Sequence, residues 1–202
     1  MRLLEEIIIF GCGGHSRSVS DVILRENSAS KLLYVDPNAG ENEAIYGFRV
    51  LKDWPISDQP CFVAIGDNNT RKAKLMELQG KTIISVVSDT ARIGLQVRIG
   101  HGCFVGNFSH IGPEAEIGEG TIINTGAVIE HEVQIGAYCH IAPNAAISGR
   151  SKLGDLVFVG TGASVIDRIS ICSGVVVGAG AVVVNDITEP GVYVGCPARK
   201  IK

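Results

Sequence analysis

Residues 111–129 of this chain read IGPEAEIGEGTIINTGAVI, with Ile111, Ile117, Ile123 and Ile129 six residues apart. The same frame runs without insertion over 87–183, where seventeen consecutive sixth positions are all Ile, Val or Leu. From 91 to 169, the position four residues after each aliphatic residue is small or β-branched, and Ile169 is the one larger residue in this column. One large and one small inward residue per six is typical of a flat strand and a tight corner, and three such units close one triangular coil of a parallel β-helix.

This repeat predicts a prism with eighteen residues in each coil. Residues 87–183 then make about 5.4 coils, and a strand spacing of ~4.8 Å gives a height of roughly 26 Å. Each aliphatic side chain stacks on the one eighteen residues further along, so the core forms only as a whole. The periodicity does not give the hand of the coil.

The composition indicates a water-soluble protein with no nucleic-acid or membrane partner. The formal net charge is −3 over 202 residues, which gives no basic patch for either polyanion. The apolar run at 7–10 is too short for a signal peptide or a membrane span, so we expect a cytoplasmic location. Two of the six cysteines, Cys103 and Cys139, fall in the small inward column, and we expect reduced thiols.

The residues before the repeat predict a small Rossmann-like βαβ domain. We therefore expect an α/β domain over 1–86 and an all-β prism with a C-terminal capping tail over 87–202. In such sheets, ligands bind beyond the carboxyl ends of the strands. The expected order is strand 7–10, glycine turn 11–16, helix 17–27, strand 32–35, strand 62–65, helix 70–78 and strand 82–87.

The glycine turn admits two interpretations. Its sequence lacks the last glycine of a dinucleotide fingerprint, because Ser16 stands there, and this disfavours NAD. Backbone N–H groups at the start of the helix suit a phosphate or a sugar hydroxyl. Alternatively, the glycines only allow the strand and the helix to pack closely. Asp36 similarly either accepts hydrogen bonds from a ribose or a base, or starts a turn with Pro37.

One histidine in the repeat lies between two carboxylates. His131 follows the inward Ile129 by two residues, so its side chain is expected to point out of the coil, flanked by Glu130 and Glu132. A carboxylate fixes the imidazole tautomer and stabilises the imidazolium, which suits a general base. A solvated surface histidine with acidic neighbours is the other interpretation.

Four segments together resemble a known family: Gly11–Ser16, Ile65–Asn68 with Arg71, Asn124–Glu132 and Gly195–Ala198. In this order, over nearly the whole chain, they are similar to the sugar acyltransferases of the sialic acid O-acetyltransferase (NeuD) family. Within it, they most resemble the PglD-like UDP-4-amino-sugar N-acetyltransferases of bacillosamine and legionaminic acid pathways. Their combination is more specific than the hexapeptide repeat alone.

The resemblance implies a left-handed β-helix and a homotrimer with active sites between neighbouring prisms. It also implies acetyl-CoA as the cosubstrate, and no metal. The catalytic base then falls on His131, its acidic partner on Glu132, and a backbone N–H donor to the developing oxyanion on Gly149. The implied acetyl-CoA positions are His140, Thr161 and Ala179. The implied nucleotide-sugar positions are Gly13, Gly14, His15, Asp36 and Gly66.

The expected function is acetyl transfer to the 4-amino group of a nucleotide-linked sugar, with uridine as the expected nucleotide, in bacterial surface-glycan synthesis. Gly13 and Pro37 depart from the pattern of the similar enzymes, and they leave the nucleotide and the sugar open. A sialic acid O-acetyltransferase is the alternative, because it needs the same donor and base. A silent trimeric scaffold is a further alternative. A β-helix zinc carbonic anhydrase is disfavoured, because no two prism histidines lie eighteen residues apart.

Overall fold

The computed structural model describes residues 6–55 and 58–202 and confirms an α/β unit followed by a left-handed parallel β-helix. The expected boundary at 86/87 stays a prediction; residues 1–5 and 56–57 of the first unit lie outside the described residues. The elements of the first unit are β1 (Glu6–Phe10), α1 (Gly14–Glu26), β2 (Lys31–Val35), β3 (Ala44–Ile45), β4 (Phe48–Leu51), β5 (Cys61–Val63) and α2 (Asn68–Glu77).

The five strands form one sheet in the order β3-β4-β2-β1-β5. All pairs are parallel except β3 with β4, which form a hairpin absent from the sequence prediction. Helix α1 begins at Gly14, three residues earlier than predicted, so His15 lies in its first turn. The glycine turn therefore leads directly from a buried strand into a helix N-terminus, at the carboxyl edge of the sheet.

The second unit consists of short strands at the predicted six-residue spacing. Each strand pairs in parallel with the strand eighteen residues further on, which confirms three strands to a coil. The strands are β6 (Val86–Val87), β7 (Arg92–Ile93), β8 (Arg98–Ile99), β9 (Phe104–Val105), β10 (His110–Ile111), β11 (Glu116–Ile117), β12 (Ile122–Ile123), β13 (Val128–Ile129), β14 (Gln134–Ile135), β15 (His140–Ile141), β16 (Ala146–Ile147), β17 (Lys152–Leu153), β18 (Phe158–Val159), β19 (Ser164–Val165), β20 (Ser170–Ile171), β21 (Val175–Val177) and β22 (Val182–Val183).

The corners of the prism share one backbone conformation. Every sixth residue from Gln96 to Gly180 has a φ between 57° and 74°, whether or not it is glycine. This left-handed residue turns the chain by one corner, and it recurs in register because the coils stack. The glycine that directly follows many of the aliphatic residues has a different role, because the backbone of the next coil packs closely against it. A Cβ on Gly112, for example, would lie 2.6 Å from the backbone nitrogen of His131 in the next coil.

The prism has three faces, which we name by their surroundings. The docked face (β6, β9, β12, β15, β18 and β21) packs Phe104 and Ile122 against the first unit. The open face (β7, β10, β13, β16, β19 and β22) follows it around each coil. The charged face (β8, β11, β14, β17 and β20) carries Arg98, Glu116 and Lys152. The tail adds β23 (Gly191–Val194) and β24 (Arg199–Lys200) to the upper end of the docked face.

Arg71 of α2 joins the two units. It is fully buried, and its guanidinium donates to the carbonyls of Gly120 at 2.6 Å, and of Tyr138 and Cys139 at 2.9 Å each. It also donates to Gly66 O at 3.0 Å. Burial lowers the pKa of Arg71 to about 10, which leaves it charged at neutral pH. One side chain therefore links the first unit to two successive coils.

Two further features concern the helices and the cysteines of the described residues. None of the described helices has the length and apolar character needed to cross a membrane. All six cysteines are described, and all are free thiols. Burial raises the pKa of Cys139 to about 12 and that of Cys103 to about 11, so both core thiols remain protonated.

We predict that Arg71→Met lowers the free energy of unfolding by about 3–5 kcal/mol, because several buried carbonyls lose their only charged donor. Denaturant unfolding followed by circular dichroism measures the change. The control is Lys74→Met on the same helix, whose ammonium is paired with the exposed Glu77 and lies over the Phe10 ring, and we expect a change within about 1 kcal/mol. Equal effects of the two substitutions would contradict the role given to Arg71.

Candidate active site

His131 lies at the corner between β13 and β14, on the edge that joins the open and charged faces. Its Nδ1 lies 2.9 Å from Glu132 Oε2, and both side chains are about half exposed. An ionised carboxylate only accepts, so Glu132 holds the proton on Nδ1 and leaves Nε2 free to take another. Glu132 itself is a left-handed corner residue, with a φ of 60°.

Gly149 stands eighteen residues after His131, directly above it in the next coil. A Cβ on Gly149 would lie 2.6 Å from His131 Nε2 and 2.7 Å from Cε1, so the imidazole lies over the glycine. Any larger residue would displace the ring. The structure therefore brings together the three predicted catalytic residues, His131, Glu132 and Gly149, on one edge.

His140 lies on the docked face, beside the first unit. Its Nδ1 is 3.2 Å from Gly66 O, and its Nε2 is 3.2 Å from Asn124 Nδ2. Because Gly66 O can only accept, Nδ1 carries the proton, and Nε2 accepts from the Asn124 amide. Asn124 Oδ1 accepts from Thr125 N at 2.8 Å, which fixes the amide orientation. Asn124 stood in the family-like segment, but the sequence offered no reason to select it.

His15 projects from the first turn of α1 toward the same face. Its ring lies edge-on to Phe104, with centroids 5.0 Å apart, and 6.4 Å from the ring of His140. Its Nε2 is buried and has no hydrogen-bond partner. Burial, reinforced by His140 and Arg71, lowers the pKa of His15 to about 3. His15 is therefore a neutral polar group with a ring nitrogen available to a ligand.

The glycines of the first unit border open space. A Cβ on Gly13, Gly14 or Gly66 would meet no atom within 4 Å. Close packing therefore does not account for glycine at these positions, although it does at Gly11, where a Cβ would lie 3.1 Å from Ala64 O. The interpretation of the glycine turn as a ligand-binding element gains support.

Asp36 braces the loops around this space. Its Oδ2 accepts from Cys12 N at 3.1 Å, and its Oδ1 accepts from Asn38 N at 2.9 Å. Although burial alone would raise the pKa of Asp36, the hydrogen bonds from Asn38 and Cys12 lower it overall, so the carboxylate stays ionised. The turn interpretation of Asp36 is thus realised in the structure, and its ligand role stays a prediction.

A cavity of about 450 Å³ lies between the first unit and the upper docked face. Gly66 and Asp67 form one wall, and His140 and Phe158 form the other. The N-terminus of α2 opens onto it, with the Asp67 carboxylate capping Thr70 N at 2.8 Å. This cavity is large enough to hold part of an elongated ligand between the two units.

Thr161 and Ala179 lie one above the other on the edge that joins the docked and open faces, because they are eighteen residues apart. The adjoining corner residues Gly162 and Gly180 have no atom within 4 Å of a Cβ position. The edge is therefore a shallow shelf of main chain and small side chains. The two predicted acetyl-CoA positions share this shelf, with Thr161 about one coil and Ala179 about two coils above His140.

The predicted residues form two separate groups. His131, Glu132 and Gly149 lie on the edge between the open and charged faces, which is the edge opposite the docked face in a triangular prism. His140, Gly66 and the glycine turn lie on the docked side. Within one chain, the edge that carries His131 therefore does not reach the space beside the first unit. No group of three His, Cys, Asp or Glu side chains suited to a metal ion occurs among the residues that the structure describes.

Comparison with known proteins agrees with this architecture. The PglD N-terminal domain model matches residues 6–78, and the bacterial transferase hexapeptide model matches residues 96–131 and 115–149. The acetyltransferase domain of PglB from Neisseria gonorrhoeae is 26% identical, with a TM-score of 0.91, covering 98% of this chain and 100% of that one. A search of curated proteins finds no match.

Two further solved structures are similar over almost their whole length. A variant of perosamine N-acetyltransferase from Caulobacter crescentus, in complex with CoA and GDP-perosamine, is 31% identical, with a TM-score of 0.88 and coverage of 98% and 97%. WeeI from Acinetobacter baumannii is 25% identical, with a TM-score of 0.89 and coverage of 96% and 99%. The fold and these matches define a hexapeptide-repeat acyltransferase. The chain belongs to the PglD-like family of sugar acetyltransferases.

We predict that His131→Ala lowers kcat/KM by ~10²- to 10⁴-fold, the range for loss of a general base. Gly149→Ala should lower it by ~10²-fold, because the new methyl group displaces the imidazole. Release of CoA from acetyl-CoA measures both. His101→Ala, an exposed prism histidine paired with Glu119, is the control with unchanged activity. Near-wild-type turnover by a correctly assembled His131→Ala protein would refute the assignment.

We predict that the free energy of unfolding falls as the pH drops from about 6.5 toward 4. Burial lowers the pKa of His140 to about 4, so the unfolded chain binds protons in this range before the folded chain does. The stability is complete above pH 6.5, and each such histidine contributes a slope of up to ~1.4 kcal/mol per pH unit. Unfolding of His140→Gln, measured across this range, should show a smaller slope than the wild type. The exposed-site control His101→Gln should not; equal slopes in all three proteins would contradict the prediction.

Proposed function

We propose that the protein transfers the acetyl group of acetyl-CoA to the amino group of a nucleotide-linked amino-deoxy sugar. The observation that carries this is that one chain holds two complementary arrangements. An exposed imidazole, oriented by a carboxylate, lies over a glycine, and an open glycine-lined space lies beside the buried, neutral His15. The first arrangement suits proton removal, and the second suits a hydroxyl-rich ligand whose phosphates lie near a helix N-terminus.

The donor and acceptor follow the similar enzymes. The perosamine N-acetyltransferase structure contains CoA together with GDP-perosamine, and a second PglB structure contains acetyl coenzyme A. We assign the shelf at Thr161 and Ala179, with His140, to acetyl-CoA. We assign Gly13, Gly14, His15, Asp36 and Gly66 to the nucleotide sugar. We keep uridine as the expected nucleotide, in a bacterial surface-glycan pathway of the bacillosamine or legionaminic acid type.

The active enzyme is a homotrimer in this proposal. The outward residues of the open face are Arg92, His110, Val128, Ala146, Ser164 and Val182, three of which are apolar, whereas the charged face carries Arg98, Glu116 and Lys152 and the docked face is covered by the first unit. The open face is thus the least polar free face of the prism. Three copies with open faces toward a common axis bring the His131 edge of one copy beside the docked-open edge of the next.

The heights of the residues support this assembly. Rotation about an axis parallel to the prisms keeps each residue at its own height. His131 and Asn124 differ by seven residues, which corresponds to a rise of roughly 2 Å at ~4.8 Å per coil. The catalytic imidazole of one copy therefore comes level with Asn124 and His140 of the next, beside the first unit that we assign to the sugar.

The reaction is direct attack in a ternary complex. His131 Nε2 takes a proton from the acceptor amine as its nitrogen attacks the thioester carbonyl. The negative charge that develops on the carbonyl oxygen is stabilised by main-chain N–H groups, among them that of Gly149. The carbon–sulfur bond then breaks, CoA leaves as the thiolate, and the imidazolium gives its proton to the CoA sulfur, which leaves the acetylated amine and the free thiol. Glu132 stabilises the imidazolium throughout, and no cysteine takes part.

The cellular setting agrees with the chemistry. All six cysteines are free, and the two in the prism core have raised pKa values, as expected for a reducing compartment. We therefore place the reaction in the cytoplasm, where acetyl-CoA is available. A sialic acid O-acetyltransferase remains the second candidate, because the same base and donor serve a hydroxyl acceptor.

The substrate assay separates these candidates. Purified protein receives acetyl-CoA with a UDP- or GDP-linked 4-amino-4,6-dideoxy sugar, free sialic acid or CMP-sialic acid, and CoA release is measured. We expect turnover only with an amino sugar. Turnover only with a sialic acid would move the assignment to O-acetylation, and binding of CoA without any turnover would favour a scaffold.

Subunit complementation tests the shared active site. His131→Ala and Asp36→Ala proteins are each expected to have low activity, because one lacks the base and the other has a disturbed sugar pocket. Unfolding and refolding the two as an equal mixture should restore about one quarter of the wild-type activity, since one interface in four then combines an intact edge with an intact pocket. Refolding each variant alone is the control. No recovery in a mixture that forms trimers would contradict a site shared between copies.

A further inference from the structure

Two large apolar side chains on the prism are mostly exposed to solvent in the single chain. Leu95 is 83% exposed and Phe108 is 72% exposed, the highest values among the exposed large apolar side chains of the described residues. Leu95 lies on the edge between the open and charged faces, and Phe108 on the edge between the docked and open faces. The two residues therefore flank the open face on opposite sides, and within one chain they do not meet.

The corner that carries Phe108 is held in place. Phe108 N donates to Thr90 Oγ1 at 3.1 Å, and Thr90 Oγ1 is 2.9 Å from Ser88 Oγ. Phe108 has a φ of 58°, a conformation that costs a bulky residue about 1 kcal/mol. In three other coils this same corner position is Gly126, Gly162 or Gly180. Phe108 thus places a large aromatic ring in solvent at a corner where glycine would have no backbone strain.

The heights of the two residues match. They are thirteen residues apart, which is a rise of roughly 3.5 Å, less than the distance between neighbouring coils. Rotation about an axis parallel to the prisms preserves these heights. Wherever the His131 edge of one copy faces the docked-open edge of the next, Leu95 of the first copy is therefore level with Phe108 of the second.

We propose that Phe108 of one copy packs against Leu95 of the next, and that this apolar clasp positions the shared active site. The corner residues Asn144 and His131 repeat the same thirteen-residue offset two coils higher, so the clasp and His131 lie along the same proposed interface. The occupant of this surface is a second copy of the chain, because Leu95 and Phe108 border the two sides of the open face at matching heights; the outward residues of the open face at this level are Arg92 and His110. This inference rests on the proposed trimeric function.

Cross-linking tests the contact directly. In a Cys196→Ser background, which removes the exposed thiol, the double variant Leu95→Cys with Phe108→Cys is treated with a short bismaleimide. We expect covalent trimers on a denaturing gel, because each copy is joined to both neighbours. Each single variant should remain monomeric on the gel. The matched control, Met76→Cys with Phe108→Cys, uses an exposed apolar residue on α2 and should also remain monomeric.

A charge at the clasp tests its contribution to assembly. Phe108→Asp should raise the dissociation constant of the trimer by about 10- to 100-fold, as expected for loss of a buried aromatic contact. Sedimentation velocity across a dilution series measures it, and kcat/KM should fall at the dilutions where the trimer dissociates. Met76→Asp is the control and should leave both unchanged.

The outcomes separate this inference from the proposed function. A wild-type protein that is trimeric and active, but whose Leu95→Cys and Phe108→Cys pair gives no trimer band beyond the Met76 control, would overturn the clasp and leave the proposed function intact. A wild-type protein that is monomeric and fully active would overturn the clasp and the proposed trimeric assembly, and would leave the proposed acetyl transfer intact. A covalent trimer together with weakened assembly of Phe108→Asp supports the clasp.

Discussion

The buried guanidinium of Arg71 is the interaction on which the arrangement of the two units depends. A positive charge removed from water needs several acceptors, and here they are all main-chain carbonyls or an amide, with no carboxylate among them. The acceptors in the prism are the carbonyls of Gly120, Tyr138 and Cys139, which belong to successive coils. The contact therefore forms only after these coils have stacked. Gly66 O accepts both from Arg71 and from His140, so the same interaction also sets the tautomer of a histidine in the site.

The regular coil accounts for the geometry of the catalytic edge. Corner residues stack at intervals of eighteen, and their spacing leaves little room between one corner and the next. His131 can lie flat over the following coil only because position 149 has no side chain, and its own backbone approaches Gly112 closely from above. A repeat that selects small residues for packing has thereby also created a place for an exposed imidazole with a fixed orientation.

The sequence predicted the prism far better than the contacts of the site. The aliphatic column is a local, strictly periodic signal, so the strands and the eighteen-residue register followed from it. The β3-β4 hairpin was missed because its first strand has two residues and its turn, at Tyr46 and Gly47, carries no familiar turn pair. The prism partners of Arg71 are 49 to 68 residues away, and the link between Asn124 and His140 joins successive coils. Contacts of this kind depend on how the two units dock, which no local pattern records.

Docking of the first unit has a consequence for assembly. A triangular prism has three faces; one is covered by the βαβ unit, and one carries charged side chains along its length. In the proposed trimer, the open face is the face left for association, and the edge that bears His131 is one of its two borders. The proposed base of one copy then acts beside the docked unit of a neighbour. On this proposal, the choice of docked face sets both how the chain associates and which two edges share the chemistry.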